Sequence, residues 1–355
     1  MRVAEVVRYW FVPQGLQVST MTTRYRLIGG PGSPYSLKIR AILRYRRIAF
    51  DWLLRAQVGD EVAHVRPPVI PILHDPIDNS YRNDSTPLVE FLEMQHPQAR
   101  SVVPAHPGVA FLNFLLEDFS DEWATKFMFQ HRWLEQADQD FYGHYLGWFR
   151  EVPAPWEVVK ATGEQWRDRQ VSRNELVGVS RVNQPIIDRT FHGVLDALER
   201  MLGSQMFLFG DRPASADFAL AGQLQPGAHA PGAASSMRAR APMTFCWLIA
   251  MDDLSGWNVG EWHDVVAKPS PAAVDMLRLS AQTHLPFFQA NARAFANGDS
   301  EVAVEIWGQC YRQQPFKYQV RCFDELKRRF AALPNDARKD IEPLLERTGC
   351  LRFLA

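Results

Sequence analysis

The sequence predicts an α/β domain, then an all-α domain, then a further mostly helical section. Three observations lead there. Residues 25–96 alternate short apolar runs with amphipathic helical segments in the order β-α-β-β-α. From about Gly108 the pattern becomes helical throughout. The chain has 355 residues, more than one domain of roughly 100–200 residues accommodates. A composition of 46% hydrophobic and 22% charged residues is that of a globular protein and excludes a disordered one. The net charge of −1 argues against a chain built to hold nucleic acid. No apolar run approaches the roughly 18 residues of a membrane helix.

The elements follow in order. Tyr25 to Ile28 predicts a strand, closed by Gly29-Gly30-Pro31-Gly32. Pro34 sits just inside a helix, where its missing N–H costs nothing, and apolar positions carry that helix to about Arg47. Ile48 to Leu54 and Val69 to Leu73 are strand-like, and a short edge strand leads to Asp84-Ser85, which caps a helix ending near His96-Pro97. Phe111, Phe114, Leu115, Phe119, Trp123, Phe127 and Trp133 form an aromatic amphipathic stretch. Residues 151–182 read as an irregular or partly helical connection, Pro185 to Leu202 as a helix, and 225–236 as a loop of small residues. A helix starts near Ala216 and another runs from Arg238 to Leu254. Beyond Gly260 come helices at 272–283 and 286–295, a hairpin turning at Gly308, and helices at 316–332 and from Asn335 to about Gly349.

Ser33-Pro34-Tyr35-Ser36 stands at a strand-to-helix turn behind a glycine-rich loop. A helix N-terminus presents free N–H groups and a positive dipole end. A hydroxyl there can cap the helix, or donate to an anion such as a thiolate. The four cysteines, Cys246, Cys310, Cys322 and Cys350, all lie in the last third and form no CxxC. They read as free thiols in a reducing cytosol, so sulfur chemistry at the turn requires a ligand that carries the sulfur.

Residues 24–258 resemble the cytosolic glutathione transferases. SPYS is similar to the CPYC or CPFA motif of glutaredoxins and omega-class transferases, with Ser33 in the cysteine's place. Val69-Ile70-Pro71-Ile72-Leu73 is similar to the family's Val-Pro-x-Leu element, and Asp84-Ser85 with the following helix to its acid-serine motif. Phe207-Leu208-Phe209-Gly210 through Pro213-Ala214-Ser215-Ala216-Asp217 resembles the loop-to-helix element of its helical domain, with Ala214 where a threonine or serine cap is usual. The resemblance implies an α/β thioredoxin-like domain over 23–103, an all-α domain over 104–258, and a mostly helical extension over 259–355, with 1–22 an N-terminal extension whose first 20 residues precede Met21 as a possible start. It implies glutathione as co-substrate, no metal, a small electrophile, a cytoplasmic homodimer, and no nucleic-acid or membrane partner.

The same resemblance assigns roles. Ser33 would stabilise the glutathione thiolate. Tyr35, Ser36, Ile70, Pro71, Asp84 and Ser85 would bind the tripeptide, Ile70 through its backbone before a cis proline. A serine cannot form a mixed disulfide, so thiol–disulfide exchange is disfavoured. Phe119, Trp123 and Phe127 either line an electrophile pocket or belong to the core. Glu117, Asp118, Asp121 and Glu122 read as a charged face pairing with Lys126 and Arg132. Seven basic residues and no acidic one between Arg24 and Arg47 read as surroundings of an anionic tripeptide. Gln313-Gln314-Pro315-Phe316-Lys317-Tyr318-Gln319, which resembles a segment of long bacterial transferase-like proteins, reads as a turn leading into a helix. A transferase, a glutathione-dependent lyase or isomerase, and a non-catalytic scaffold on the same fold all remain compatible with these residues.

Overall fold

The computed structural model describes residues 24–97 and 100–354; the expectations for residues 1–22 lie outside them. The N-terminal part is a four-stranded sheet in the order β2-β1-β3-β4. Its elements are β1 (Tyr25–Gly29), α1 (Pro34–Tyr45), β2 (Phe50–Leu54), β3 (Ile72–Asp75), β4 (Ser80–Asn83) and α2 (Ser85–Gln95). β2 lies parallel to β1, while β3 is antiparallel to both β1 and β4. Period-2 alternation sends Leu27 to the helix-covered face and Ile28 to the other, where it meets Val62, Val65 and Ile72. β3 starts later than the apolar run suggests. Pro67, Pro68 and Pro71 have no N–H to give a ladder, so pairing begins at Ile72.

The helical part opens with α3 (Pro107–Asp118), a π-helical turn (Phe119–Ala124), α4 (Thr125–Trp133) and α5 (Gln136–Glu151). It continues with α6 (Trp156–Val171), α7 (Asn174–Val177), α8 (Gln184–Leu202), α9 (Ser215–Gly227), α10 (Pro231–Arg240) and α11 (Pro242–Met251). Three sequence expectations need correction. Residues 156–171, expected to be irregular or only partly helical, form a full helix. Its polar sequence lacks a wide apolar stripe because its contact with α5 is made by backbone: a Cβ on Gly147 would lie 2.1 Å from the Val159 carbonyl, and one on Gly163 would lie 2.4 Å from that of Gly143. The small-residue stretch 225–236, expected as a loop, is the end of α9, a turn at 228–230 and the start of α10, because Pro231 suits a first helical turn and alanines continue it. The helix expected over 238–254 is broken at Ala241, ahead of Pro242.

Past residue 259 the chain adds α12 (Pro271–Gln282), α13 (His284–Asn297), the hairpin β5 (Val302–Ile306) and β6 (Gln309–Gln313), α14 (Lys317–Ala331), α15 (Asn335–Thr348) and α16 (Leu351–Leu354). This section has no core of its own. Phe330 packs on Phe111 of α3, and Phe287 and Tyr311 pack on Trp123 of the π-turn, all within one contiguous cluster. The usual side-chain cap of α9 is absent at Ala214. Its place is taken by Asp217, which accepts from the N–H groups of Ala214 and Leu208, and by Asn113, which accepts from that of Ala216.

Candidate functional site

Strand register gathers the candidate residues. Ile28 of β1 pairs with Ile72 of β3, which pairs with Asn83 of β4. The exit of β1, the entry of β3 and the exit of β4 therefore share one end of the sheet. Ser33 follows the first, Ile70 precedes the second and Asp84 follows the third. A Cβ on Gly30 would touch the Ile70 side chain at 3.5 Å, so the glycine turn and the Ile70–Pro71 segment are neighbours.

Ser33 is the N-cap of α1. Its N–H donates to the Gly30 carbonyl, and its Oγ accepts from the Ser36 N–H at 3.3 Å. Capping uses a lone pair of the hydroxyl, which leaves its proton for an anion. Ile70 stands before a cis peptide to Pro71, and among the described residues neither its N–H nor its C=O makes a hydrogen bond. Asp84 is held at φ 74°, outside the comfortable regions for a residue with a Cβ, and its carboxylate does not cap α2. Ser85, at the start of α2, is buried, with its Oγ 3.4 Å from Lys38 Nζ.

Other expected site residues are placed differently. The Tyr35 hydroxyl donates to the Asp121 carbonyl at 2.9 Å, and burial holds its phenol well above the usual value, so it ties α1 to the helical part. Ser36 is fully buried beneath Gly29, out of reach of a ligand. Pro71 is buried too and contributes through the shape of its chain. Phe119, Trp123 and Phe127 are no more than 1% exposed and pack on His284, on Phe287 with Tyr311, and on Phe191. They are core, as an aromatic stripe facing a third layer of helices must be. The side chains beside the Ser33 turn come from α5: a Cβ on Gly32 would lie 2.7 Å from Leu146 and 3.7 Å from Tyr145.

The acidic constellation is not a solvated face. Lys38, wholly buried, donates to Glu117 at 2.7 Å and to Asp121 at 2.6 Å. Glu117 also accepts from Thr86 at 3.0 Å and from Ser215, joining α1, α2, α3 and α9 in one node. A signal for this was present. Lys38 lies on the helical stripe of Pro34, Ala41, Ile42 and Tyr45, so a charge sits on a core face. The remaining basic residues of 24–47 are likewise engaged away from the turn. Arg24 pairs with Asp51, Arg26 with Glu61, Arg40 and Arg44 with Asp252, and Arg46 with Glu93, while Arg47 donates to the Ser255 carbonyl. The cation nearest the turn is one the sequence had placed on that acidic face. Buried Arg132 of α4 donates to the Gly32 carbonyl at 2.7 Å, and among the described residues it has no carboxylate partner.

The segment 313–319 packs on the π-turn. Gln319 donates to the Glu122 carboxylate at 3.0 Å, Gln313 accepts from Lys126 at 2.7 Å, and Tyr318 donates to Asp84 at 2.9 Å. Lys126 is enclosed by the rings of Trp123, Phe287 and Tyr311. Burial pushes the Glu122 carboxyl up to about 8 and the Lys126 amine down to about 7. Asp118 lies 2.9 Å from His284 Nε2, too poorly directed for a good hydrogen bond; burial raises the acid well above its usual range and lowers the imidazole to about 3.

Among the described residues no group of three or more His, Cys, Asp or Glu is arranged to hold a metal, and no helix is long and apolar enough to cross a membrane. A surface concavity of about 570 Å³, lined by Asp188, Arg189, His192 and Trp307, lies on α8 and the hairpin, apart from Ser33, Ile70 and Asp84.

A small mixed sheet ending in a capped helix turn, followed by a helical part, defines a thioredoxin-like domain joined to an all-α domain. Family comparison gives the class its name. Residues 27–100 match the glutathione S-transferase N-terminal domain, and residues 164–242 match the glutathione S-transferase C-terminal domain. The chain thus carries the N- and C-terminal domains of the glutathione S-transferase superfamily. No curated protein sequence matches it significantly. Among solved structures, it is similar to a glutathione S-transferase from Rhodospirillum rubrum F11, at 16% identity over 69% of this chain and 98% of that one, TM-score 0.42. It is also similar to the beta-etherase LigF from Sphingobium sp. strain SYK-6, at 19% identity over 64% and 94%, TM-score 0.42. A third is a glutathione S-transferase from Methylobacterium radiotolerans in complex with glutathione sulfonate, at 21% identity over 63% and 93%, TM-score 0.34.

Proposed function

We propose that this protein binds glutathione at the sheet end bearing Ser33, Ile70 and Asp84 and adds its thiolate to a small electrophile. The observation that supports the proposal is the register Ile28–Ile72–Asn83, which brings a hydroxyl donor, an unpaired stretch of backbone and a carboxylate to one end of the sheet. Each element suits one part of the tripeptide. The free N–H and C=O of Ile70 suit strand-like pairing with the cysteinyl residue. Asp84 suits the α-amino group, and the first turn of α2 with Ser85 suits the α-carboxylate. Ser33 retains a proton to donate to the sulfur, where the N-terminus of α1 and the unneutralised guanidinium of Arg132 also favour negative charge.

In the reaction the sulfur lone pair forms a bond to an electrophilic carbon, and the displaced pair leaves with the departing group or moves into a conjugated acceptor. Proximity and thiolate stabilisation supply the rate. On this reading the electrophile would meet Tyr145 and Leu146, the α5 side chains beside Gly32. Calorimetric titration with glutathione, followed by conjugation assays, tests the proposal; absence of binding at millimolar glutathione overturns it. A scaffold role is the second reading. It is favoured by Tyr318 reaching Asp84 from the C-terminal section and by the burial of Phe119, Trp123 and Phe127 in the core.

A further inference from the structure

Asp84 is an acid with an unusual partner. Its carboxylate does not cap α2, and among the described residues it makes no ion pair with a lysine, arginine or histidine. Its contact is with the phenol of Tyr318, 234 positions along the chain, at 2.9 Å. We propose that Tyr318 is an internal competitor at the γ-glutamyl end of the site, holding the Asp84 carboxylate until a ligand brings a cation to it and so weakening the binding of amino-bearing ligands. The inference rests on the glutathione-binding reading and adds a competitor to it.

The relative strengths of the partners decide the exchange. A neutral hydroxyl is the weaker partner for a carboxylate; an ammonium group makes a charge-assisted bond of roughly twice the strength. A ligand with a free amino group can therefore displace the phenol, while one without it gains nothing at Asp84 and has no cause to displace it. Local architecture lets Tyr318 yield. It lies in the first turn of α14, whose N-cap, Phe316, provides no side-chain hydrogen bond, and it is 39% exposed. The next residue, Gln319, is buried and fastened to Glu122, and Phe323, Leu326 and Phe330 anchor the rest of the helix. Release of Tyr318 thus requires a side-chain rotation or fraying of one turn, with α14 still seated. The segment 313–319 accordingly has two buried glutamines as fasteners and one accessible tyrosine as the movable contact.

The test compares native protein with Tyr318→Phe, a substitution that removes one oxygen from a half-exposed ring. Circular dichroism and thermal melting establish that the variant is folded. Both proteins are titrated calorimetrically with glutathione and with the glutathione analogue that lacks the α-amino group. Tyr318→Phe is expected to bind glutathione about tenfold more tightly, the scale of one hydrogen bond to a charged group, and to leave affinity for the desamino analogue unchanged. Equal tightening toward both ligands overturns the proposal in favour of a simple steric cover. Unchanged or weaker glutathione binding also overturns it while the glutathione site stands. If neither protein binds glutathione, the underlying site assignment fails.

Discussion

The Ser33 oxygen carries two lone pairs and one proton, and capping α1 occupies a lone pair. This separates its structural role from its chemical one. Ser33→Ala removes both. It is expected to lower stability by about 1 kcal/mol and to raise the pKa of bound glutathione by about one unit, with a comparable tenfold loss of kcat/KM at neutral pH. Ser33→Asp keeps an acceptor for the Ser36 N–H but offers the sulfur a negative charge in place of a proton. It should retain native stability in urea and show a larger rise in thiol pKa, read from thiolate absorbance against pH. Glu122 offers a second residue-scale prediction. Burial, aided by Asp118, raises its carboxyl to about 8, so the stability carried by its protonated form is complete below about pH 4.5 and is lost as pH rises through 8. Glu122→Gln fixes the neutral form and preserves an oxygen for the Gln319 amide. Its stability relative to the native protein should therefore climb over that window, by at most about 1.4 kcal/mol per pH unit. A difference independent of pH between 5 and 8 would show that Glu122 is ionised throughout.

At the scale of elements, what the sequence discloses depends on whether side chains or backbone make the contact. β1, α1, α2, α8 and the β5–β6 hairpin were legible because apolar side chains mark their buried faces at periods of 2 or 3.6. α6 was not, because only Val159 and Gly163 of its 16 residues are buried, and its seam with α5 is glycine against carbonyl. The spacing of Gly143 and Gly147, four apart on α5, was the available signal. The site divides in the same way. Ser33 reads locally as a helix cap, and the roles expected of Ser33, Ile70 and Asp84 came from the family resemblance of their short motifs. The pairing of Lys38 with Glu117, of Arg132 with the Gly32 carbonyl and of Tyr318 with Asp84 spans 79 or more positions, which no local pattern specifies. The α5–α6 seam gives a prediction of inverted sign. Alanine for glycine inside a helix ordinarily gains about 1 kcal/mol. At Gly147 the new Cβ would lie 2.1 Å from the Val159 carbonyl, and backbone cannot rotate aside. Gly147→Ala should therefore lower the denaturation midpoint, whereas an unaltered or raised midpoint would mean that α6 is free to shift.

On the scale of the whole molecule, the section beyond residue 259 decides whether the preceding two-domain unit can exist alone. It covers Phe111 with Phe330 and Trp123 with Phe287 and Tyr311, and Gln313 supplies the closest acceptor of the caged Lys126. Cutting the chain at 259 would expose these rings together and leave Glu122 and Lys126 without their glutamine partners. An apolar patch of that kind drives association, and the loss of partners weakens the π-turn that carries Asp121, and with it the Lys38 node joining the two parts. Residues 24–259 expressed alone should therefore aggregate or bind a hydrophobic dye strongly, with near-ultraviolet circular dichroism lost. Adding residues 260–354 as a separate chain should restore solubility if the two pieces are mixed during refolding. A soluble, cooperatively melting fragment would instead identify the C-terminal section as an accessory layer, so that its tyrosine at Asp84 could be removed without disturbing the core beneath.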